Sequence, residues 1–217
     1  MSLTRVLFDL DGTLIDSLAD LTDAVNHMLA GFGRPPLAEA TVRTLVGRGA
    51  RNLVQRALGT SETGEVERGL GLFTAYNTAH IADKSRLYPG VVETLSTLSS
   101  HGYTCAVVSN KNADLSRLIL ITLGIESFFA AVYGGDSCPE MKPSPLPLLS
   151  VLSELGADVG EAVMVGDSIN DILAGKRAGI TTIGCNWGYG GPDELAEADY
   201  LATSMQQVSD IIRSNIA

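Results

Sequence analysis

Apolar residues along the 217-residue chain fall into two kinds of run. Four short stretches, RVLFD (5–9), YTCAVVS (103–109), AVMVG (162–166) and TTIGC (181–185), are almost continuously apolar, and AAVYGG (130–135) is a weaker fifth. A strand with one wet face alternates apolar and polar positions; runs without alternation suit strands covered on both faces, as in a parallel sheet. Between them apolar residues recur at helical spacing. Val91, Val92, Leu95 and Leu98 do so ahead of Gly102, and Leu115, Leu118, Ile119 and Thr122 ahead of Gly124. Each glycine stands where a helix would end. Strand and helix in alternation predict an α/β fold built on a doubly wound parallel sheet, Rossmann-like in kind.

Residues from about 16 to about 86 break that alternation. Leu18, Leu21, Val25, Met28 and Leu29 mark one face of an amphipathic helix, with Asp16 or Ser17 as its N-cap. GFGRPP (31–36) is a turn, and helical patterns follow over 38–46, 51–58 and 65–83 with no strand among them. LYPG (87–90) marks the return to the main pattern. The expectation is an α/β core of residues 1–15 and 87–217, carrying an inserted all-helical domain of residues 16–86.

Composition narrows the partners. A chain with 45% hydrophobic and 18% charged residues folds into a globule. Fifteen Lys and Arg against 25 Asp and Glu leave a net charge of −10 with no basic run, which argues against nucleic acid and anionic lipid as partners. Cys105, Cys138 and Cys185 are odd in number, far apart and in no CxxC pair, as expected of reduced thiols in a cytoplasmic protein. His27, His80 and His101 form no metal-binding pair and read as structural or solvated. Asp9 and Asp11 arrive too early for a secretory signal, and no apolar stretch nears the roughly 20 residues of a membrane span.

Candidate chemistry gathers where a parallel sheet places its ligands, beyond the carboxyl ends of the strands. Asp9 closes the first strand, and Asp11 and Thr13 follow in its loop. Ser109 and Asn110 close the second, and GDSIND sets Asp167 after a later strand with Asp171 one helical turn on. Lys142, in MKPSP, precedes the next helix. Four carboxylates on one sheet edge require a cation, and hard oxygen ligands favour Mg²⁺. Like charges as close as Asp9 and Asp11 also resist joint ionisation. A calcium loop is the poorer reading of DLDG, because Leu14 and Asp20 stand where an EF-hand needs glycine and glutamate.

DLDGT, VVSN, KP and GDSIND, in this order, resemble the four motifs of the haloacid dehalogenase (HAD) superfamily, and the place of the helical insertion resembles its first cap class. LVGRGARNLV and GYG (188–190) are similar to its phosphoglycolate phosphatase-like members. The resemblance spans essentially the whole chain. It implies a Mg²⁺-dependent phosphatase with Asp9 as nucleophile and metal ligand, forming an aspartyl-phosphate. Asp11 would be the acid and base, ligating the metal through its backbone carbonyl. Asp167 would be a direct ligand, Asp171 an indirect one that supports the ligands or acts through water, and Thr13, Ser109, Asn110 and Lys142 would hold the phosphoryl group. The implied substrate is a small phosphorylated metabolite, with 2-phosphoglycolate favoured; a nucleoside monophosphate, a pyrophosphate or a sugar phosphate in a phosphomutase reaction stay open. A dehalogenase is disfavoured because Asp11 is present.

Each residue also has a plainer reading. Asp167 and Asp171 could cap a helix, Lys142 could be a solvated loop lysine, and Ser109 and Asn110 could be ordinary turn residues. GYGG (188–191) reads as a surface loop. Arg48, between Gly47 and Gly49, could grip a substrate carboxylate bidentately or lie idle at the surface.

Overall fold

The structure, a computed structural model, describes residues 3–215. Strands β1 (Arg5–Phe8), β2 (Ile15–Asp16), β3 (Arg86–Leu87), β4 (Thr104–Val108), β5 (Phe129–Tyr133), β6 (Ala162–Gly166), β7 (Thr181–Cys185) and β8 (Tyr200–Ala202) are joined, among the described residues, by nine α-helices. The helices are α1 (Leu18–Gly31), α2 (Glu39–Arg43), α3 (Gly49–Leu58), α4 (Thr63–Ala79), α5 (Val91–Ser100), α6 (Ala113–Thr122), α7 (Leu146–Glu154), α8 (Ile169–Ala178) and α9 (Met205–Asn215). Six strands form one parallel sheet in the order β5-β4-β1-β6-β7-β8. This is the doubly wound, Rossmann-like arrangement expected of the sequence, and it puts β1 in the middle.

The absence of alternation in β1 has the expected cause. Val6 and Phe8 pack into one buried cluster with Leu95, Ile119 and Val208, while Leu7 faces the opposite cluster with Leu148, Val151 and Ala174. Helices cover both faces, so both sets of side chains leave water. Register then fixes the site. Phe8 lies opposite Val107 on one side and Val165 on the other. The Asp9 N–H continues the ladder to Val165 O (2.9 Å), and the Ser109 N–H bonds Tyr133 O (2.9 Å). The next residues of the three central strands therefore emerge at one edge.

Helices α1–α4 have a cluster of their own, in which Leu18, Leu21, Val25, Met28 and Leu29 of α1 meet Val42, Leu53, Val54 and Phe73. The chain passes between this segment and the sheet at one place. There β2 and β3 pair antiparallel, Ile15 with Leu87 and Asp16 with Arg86, and the sequence boundaries at 16 and 86 fall in this ladder. Strand β8 and the β2–β3 ladder are absent from the sequence reading, because two or three residues carry no periodicity. At the start of helix α1, Asp16 Oδ1 accepts from the Leu18 N–H (3.4 Å). Ser17 occupies the N-cap position, yet its side chain makes no capping bond; its hydroxyl goes to the site below.

Candidate active site

The loop after β1 is wound tightly enough to turn Asp9 and Asp11 to different surroundings. Gly12 (φ +90°) has room for no side chain, since a Cβ there would lie 2.3 Å from Asp167 Oδ2. Asp9, Asp167 and Asp171 each bring a carboxylate oxygen within 4.8 Å of one another. Lys142 Nζ reaches into the group, 2.9 Å from Asp9 Oδ1 and 2.5 Å from Asp171 Oδ1. Two of the three acids thus share one ammonium. Burial, then repulsion from Asp9 and Asp171, pushes Asp167 up to about 8. Burial, then repulsion from Asp171, raises Asp9 to about 6 despite Lys142. Burial alone would lower the Lys142 pKa, but its two carboxylate neighbours raise it overall, so it stays charged.

Asp11 points elsewhere. Its Oδ1 accepts from Ser17 Oγ at 2.5 Å, and Lys111 Nζ stands 3.3 Å from its Oδ2. Its carboxylate is not part of the three-acid cluster, in which Asp9, Asp167 and Asp171 supply an all-oxygen donor set. That set fits a hard divalent cation: its ligands are all oxygen, and three carboxylates stand against one ammonium.

The other expected residues divide. Ser109 lines the cavity above Asp9 and is nearly buried. Asn110 also lines it, but its Nδ2 is committed to Gly47 O (2.9 Å) and Lys142 O (2.8 Å). Thr13 is fully buried beneath the cluster, and its hydroxyl donates to Asp167 Oδ1 (2.9 Å). Asp171 serves two ends at once, accepting from Ser168 N and Ser168 Oγ in the capping box of α8 as well as from Lys142. Arg48 is exposed at the cavity wall.

Three contributors escaped the sequence reading. Lys111 is almost buried beside Asp11; its signal was its place directly after Ser109 and Asn110. Tyr189 donates its N–H to Asp167 Oδ2 (2.6 Å), and its hydroxyl accepts from Ser17 N (2.8 Å). GYGG is therefore no free surface loop. A Cβ on Gly188 would lie 2.2 Å from Asp167 Cβ, and one on Gly190 would lie 2.1 Å from Asp167 O. The third is a clasp from the helical segment. Arg43 donates to the carbonyls of Gly188 and Tyr189, while Gly47 O accepts from Asn110 and Asn170. Helices α1, α3 and α4 thereby roof a cavity of about 1030 Å³ whose floor holds Asp9, Asp11 and Asp167.

Comparison with known proteins agrees with this geometry. Residues 6–185 match the haloacid dehalogenase-like hydrolase family, and the chain belongs to it. The chain is 40% identical over 213 residues to a phosphoglycolate phosphatase of Neisseria meningitidis, covering 94% of this chain and 91% of that one. It is 42% identical over 200 residues to phosphoglycolate phosphatase 1 of Pseudomonas aeruginosa, covering 88% and 72%. A crystal structure from Haemophilus somnus, described as a predicted phosphoglycolate phosphatase, superposes with a TM-score of 0.92 at 34% identity, over 97% of this chain and 98% of that one. Within the family the chain is phosphoglycolate phosphatase-like, an enzyme of the phosphoric monoester hydrolase class. Among the described residues no helix is long and apolar enough to cross a membrane.

Proposed function

We propose that this enzyme is a Mg²⁺-dependent phosphatase that hydrolyses 2-phosphoglycolate through an aspartyl-phosphate on Asp9. One observation carries the reading: two acids two residues apart have been given opposite settings. Asp9 sits among carboxylates and Lys142, whereas Asp11 is turned to Ser17 and Lys111. A carboxylate oxygen of Asp9 would attack phosphorus while the ester P–O bond breaks, and the Asp11 carboxyl would protonate the departing alkoxide. In the second half Asp11 would take a proton from water as the water oxygen bonds phosphorus. The acyl-phosphate bond then breaks, releasing inorganic phosphate and the Asp9 carboxylate. Lys142 and Ser109 would offset charge on the phosphoryl oxygens.

Asp9, Asp167 and Asp171, with the Asp11 carbonyl, would hold the cation. Bound there, Mg²⁺ would supply the positive charge that lets an anionic nucleophile approach an anionic ester. Residues 16–86 act as the cap, and closure over the site excludes bulk water and large phosphoproteins. The curated relatives support 2-phosphoglycolate as substrate, and Arg48 at the cavity wall suits its carboxylate. The free thiols of Cys105, Cys138 and Cys185 accord with a cytoplasmic setting.

The test is a panel of phosphate esters ranked by kcat/KM with Mg²⁺, with and without chelator, alongside Asp9→Asn. 2-Phosphoglycolate should lead the panel, chelation should silence the enzyme, and Asp9→Asn should lose at least about a thousandfold in kcat with its fold intact. Full turnover in excess chelator, or in Asp9→Asn, rejects the mechanism. Isomerised product from a sugar 1-phosphate would make it a phosphomutase.

A further inference from the structure

The cavity reaches well beyond the carboxylates. At about 1030 Å³ it lies at the upper end of the roughly 300–1,000 Å³ pockets that enclose drug-sized ligands, far more than a two-carbon acid fills. Its outer wall is one face of α4, where Leu70, Phe73, Thr74 and Asn77 follow one another at helical spacing. Leu21 and Leu53 line the same space from α1 and α3.

Asn77 is out of place in that wall. It is 2% exposed on a helix face otherwise devoted to the apolar cluster. Among the described residues its side-chain amide makes no hydrogen bond, and it is not among the unpartnered atoms sealed from solvent. The residue lines the cavity, so its amide is available to a group bound there. A buried amide without a partner costs free energy that nothing in the packing of α4 returns. Thr74, one turn earlier, lines the cavity beside it. The exposed guanidiniums of Arg48, Arg51 and Arg56 stand around α3. A carboxylate would go to those cations. A neutral amide and a hydroxyl, each able both to donate and to accept, match groups that do the same.

We propose that Thr74 and Asn77 form a second subsite that binds a hydroxyl group on the alcohol portion of the substrate, so that hydroxylated phosphate monoesters longer than the two-carbon acid are substrates. The inference rests on the phosphatase reading of the site. It adds a specificity determinant in the cap that acts on the end of the substrate remote from phosphorus.

The test compares kcat/KM for glycerol 1-phosphate and propyl phosphate, equal in carbon count and different only in hydroxyls, with 2-phosphoglycolate as reference, all with Mg²⁺ and the full chain. The wild-type ratio of the first to the second should be about tenfold or more, and Asn77→Leu should cut that ratio by about tenfold. Thr74→Val, a gentler change at a less buried position, should cut it in the same direction and decides the matter if Asn77→Leu does not fold. Because the readout is a ratio on one preparation, partial unfolding cancels. A wild-type ratio near one, or variants that lower both esters alike, overturns the subsite. Turnover of 2-phosphoglycolate with neither three-carbon ester attacked also overturns it and leaves the phosphatase reading standing. No turnover of any of the three rejects that reading and the subsite with it.

Discussion

Lys142 Nζ lies 2.5 Å from Asp171 Oδ1, and the two side chains are 2% and 0% exposed. With Asp9 Oδ1 at 2.9 Å, this ammonium is the counter-charge within reach of two buried acids. Removing one partner of a buried pair leaves the other charged and dry. Lys142→Met, close in shape and uncharged, should lower unfolding stability by about 3–5 kcal/mol near neutral pH in urea titrations. Lowering the pH should shrink the deficit, because protonated acids no longer need the ammonium. A variant as stable as wild type at alkaline pH would show that the pair contributes nothing to the fold.

The raised pKa values give stability a pH slope in chelated protein. Burial and mutual repulsion lift Asp167 to about 8 and Asp9 to about 6, above the roughly 3.9 of an unfolded aspartate. Between those values the folded state holds more protons than the unfolded one, so stability falls as pH rises. The thermal midpoint with chelator should therefore drop between about pH 4 and about pH 8, most steeply below about pH 6 where both acids contribute. Mg²⁺ competes with those protons, so its stabilising effect should widen over the same interval. A gap between the two curves that is constant with pH would contradict this.

Gly188→Ala should weaken the metal site without unfolding the chain. Its Cβ would fall 2.2 Å from Asp167 Cβ and 2.4 Å from Asp167 Oδ2, forcing that acid away from the Tyr189 N–H. The Mg²⁺ concentration for half-maximal activity should rise by about 10–100-fold. Gly191→Ala is the control, because a Cβ there meets nothing within 4 Å. Equal behaviour of the two variants would disprove the steric argument.

Ser17→Ala removes the 2.5 Å bond to Asp11 while leaving Lys111 in place. Since the Ser17 side chain caps nothing, α1 should keep its stability, unlike the usual loss of an N-cap serine. Turnover of alkyl phosphates should fall roughly tenfold, the weight of one charge-assisted bond. Aryl esters, whose leaving groups need little protonation, should fall less. Matched losses on both ester types would place Ser17 outside the acid step.

What the sequence revealed follows from how far each signal reaches along the chain. Strands β1, β4, β6 and β7 were legible because burial on both faces erases alternation over several consecutive residues. Asp9, Asp11 and Asp167 were legible because each immediately follows or lies just beyond a strand. Tyr189 was not, since its bond to Asp167 spans 22 residues and depends on a loop folding back over the sheet edge. Thr13 and Ser17 were visible as residues but their partners were not: Thr13 donates to Asp167 and Ser17 to Asp11, and only the tertiary fold sets those contacts. Asn110 shows the same dependence, its amide shared between Gly47 and Lys142.

The β2–β3 ladder has a further consequence. Both crossings of the chain run side by side, Asp16 against Arg86, about 5 Å apart as paired strands are. The whole helical segment is thus a detachable excursion: a short turn could join its two stems without severing any strand of the main sheet. The same adjacency gives it a single pivot, so that swinging it outward bends two short stems and leaves the β1 ladder, and Asp9 at its tip, where they were.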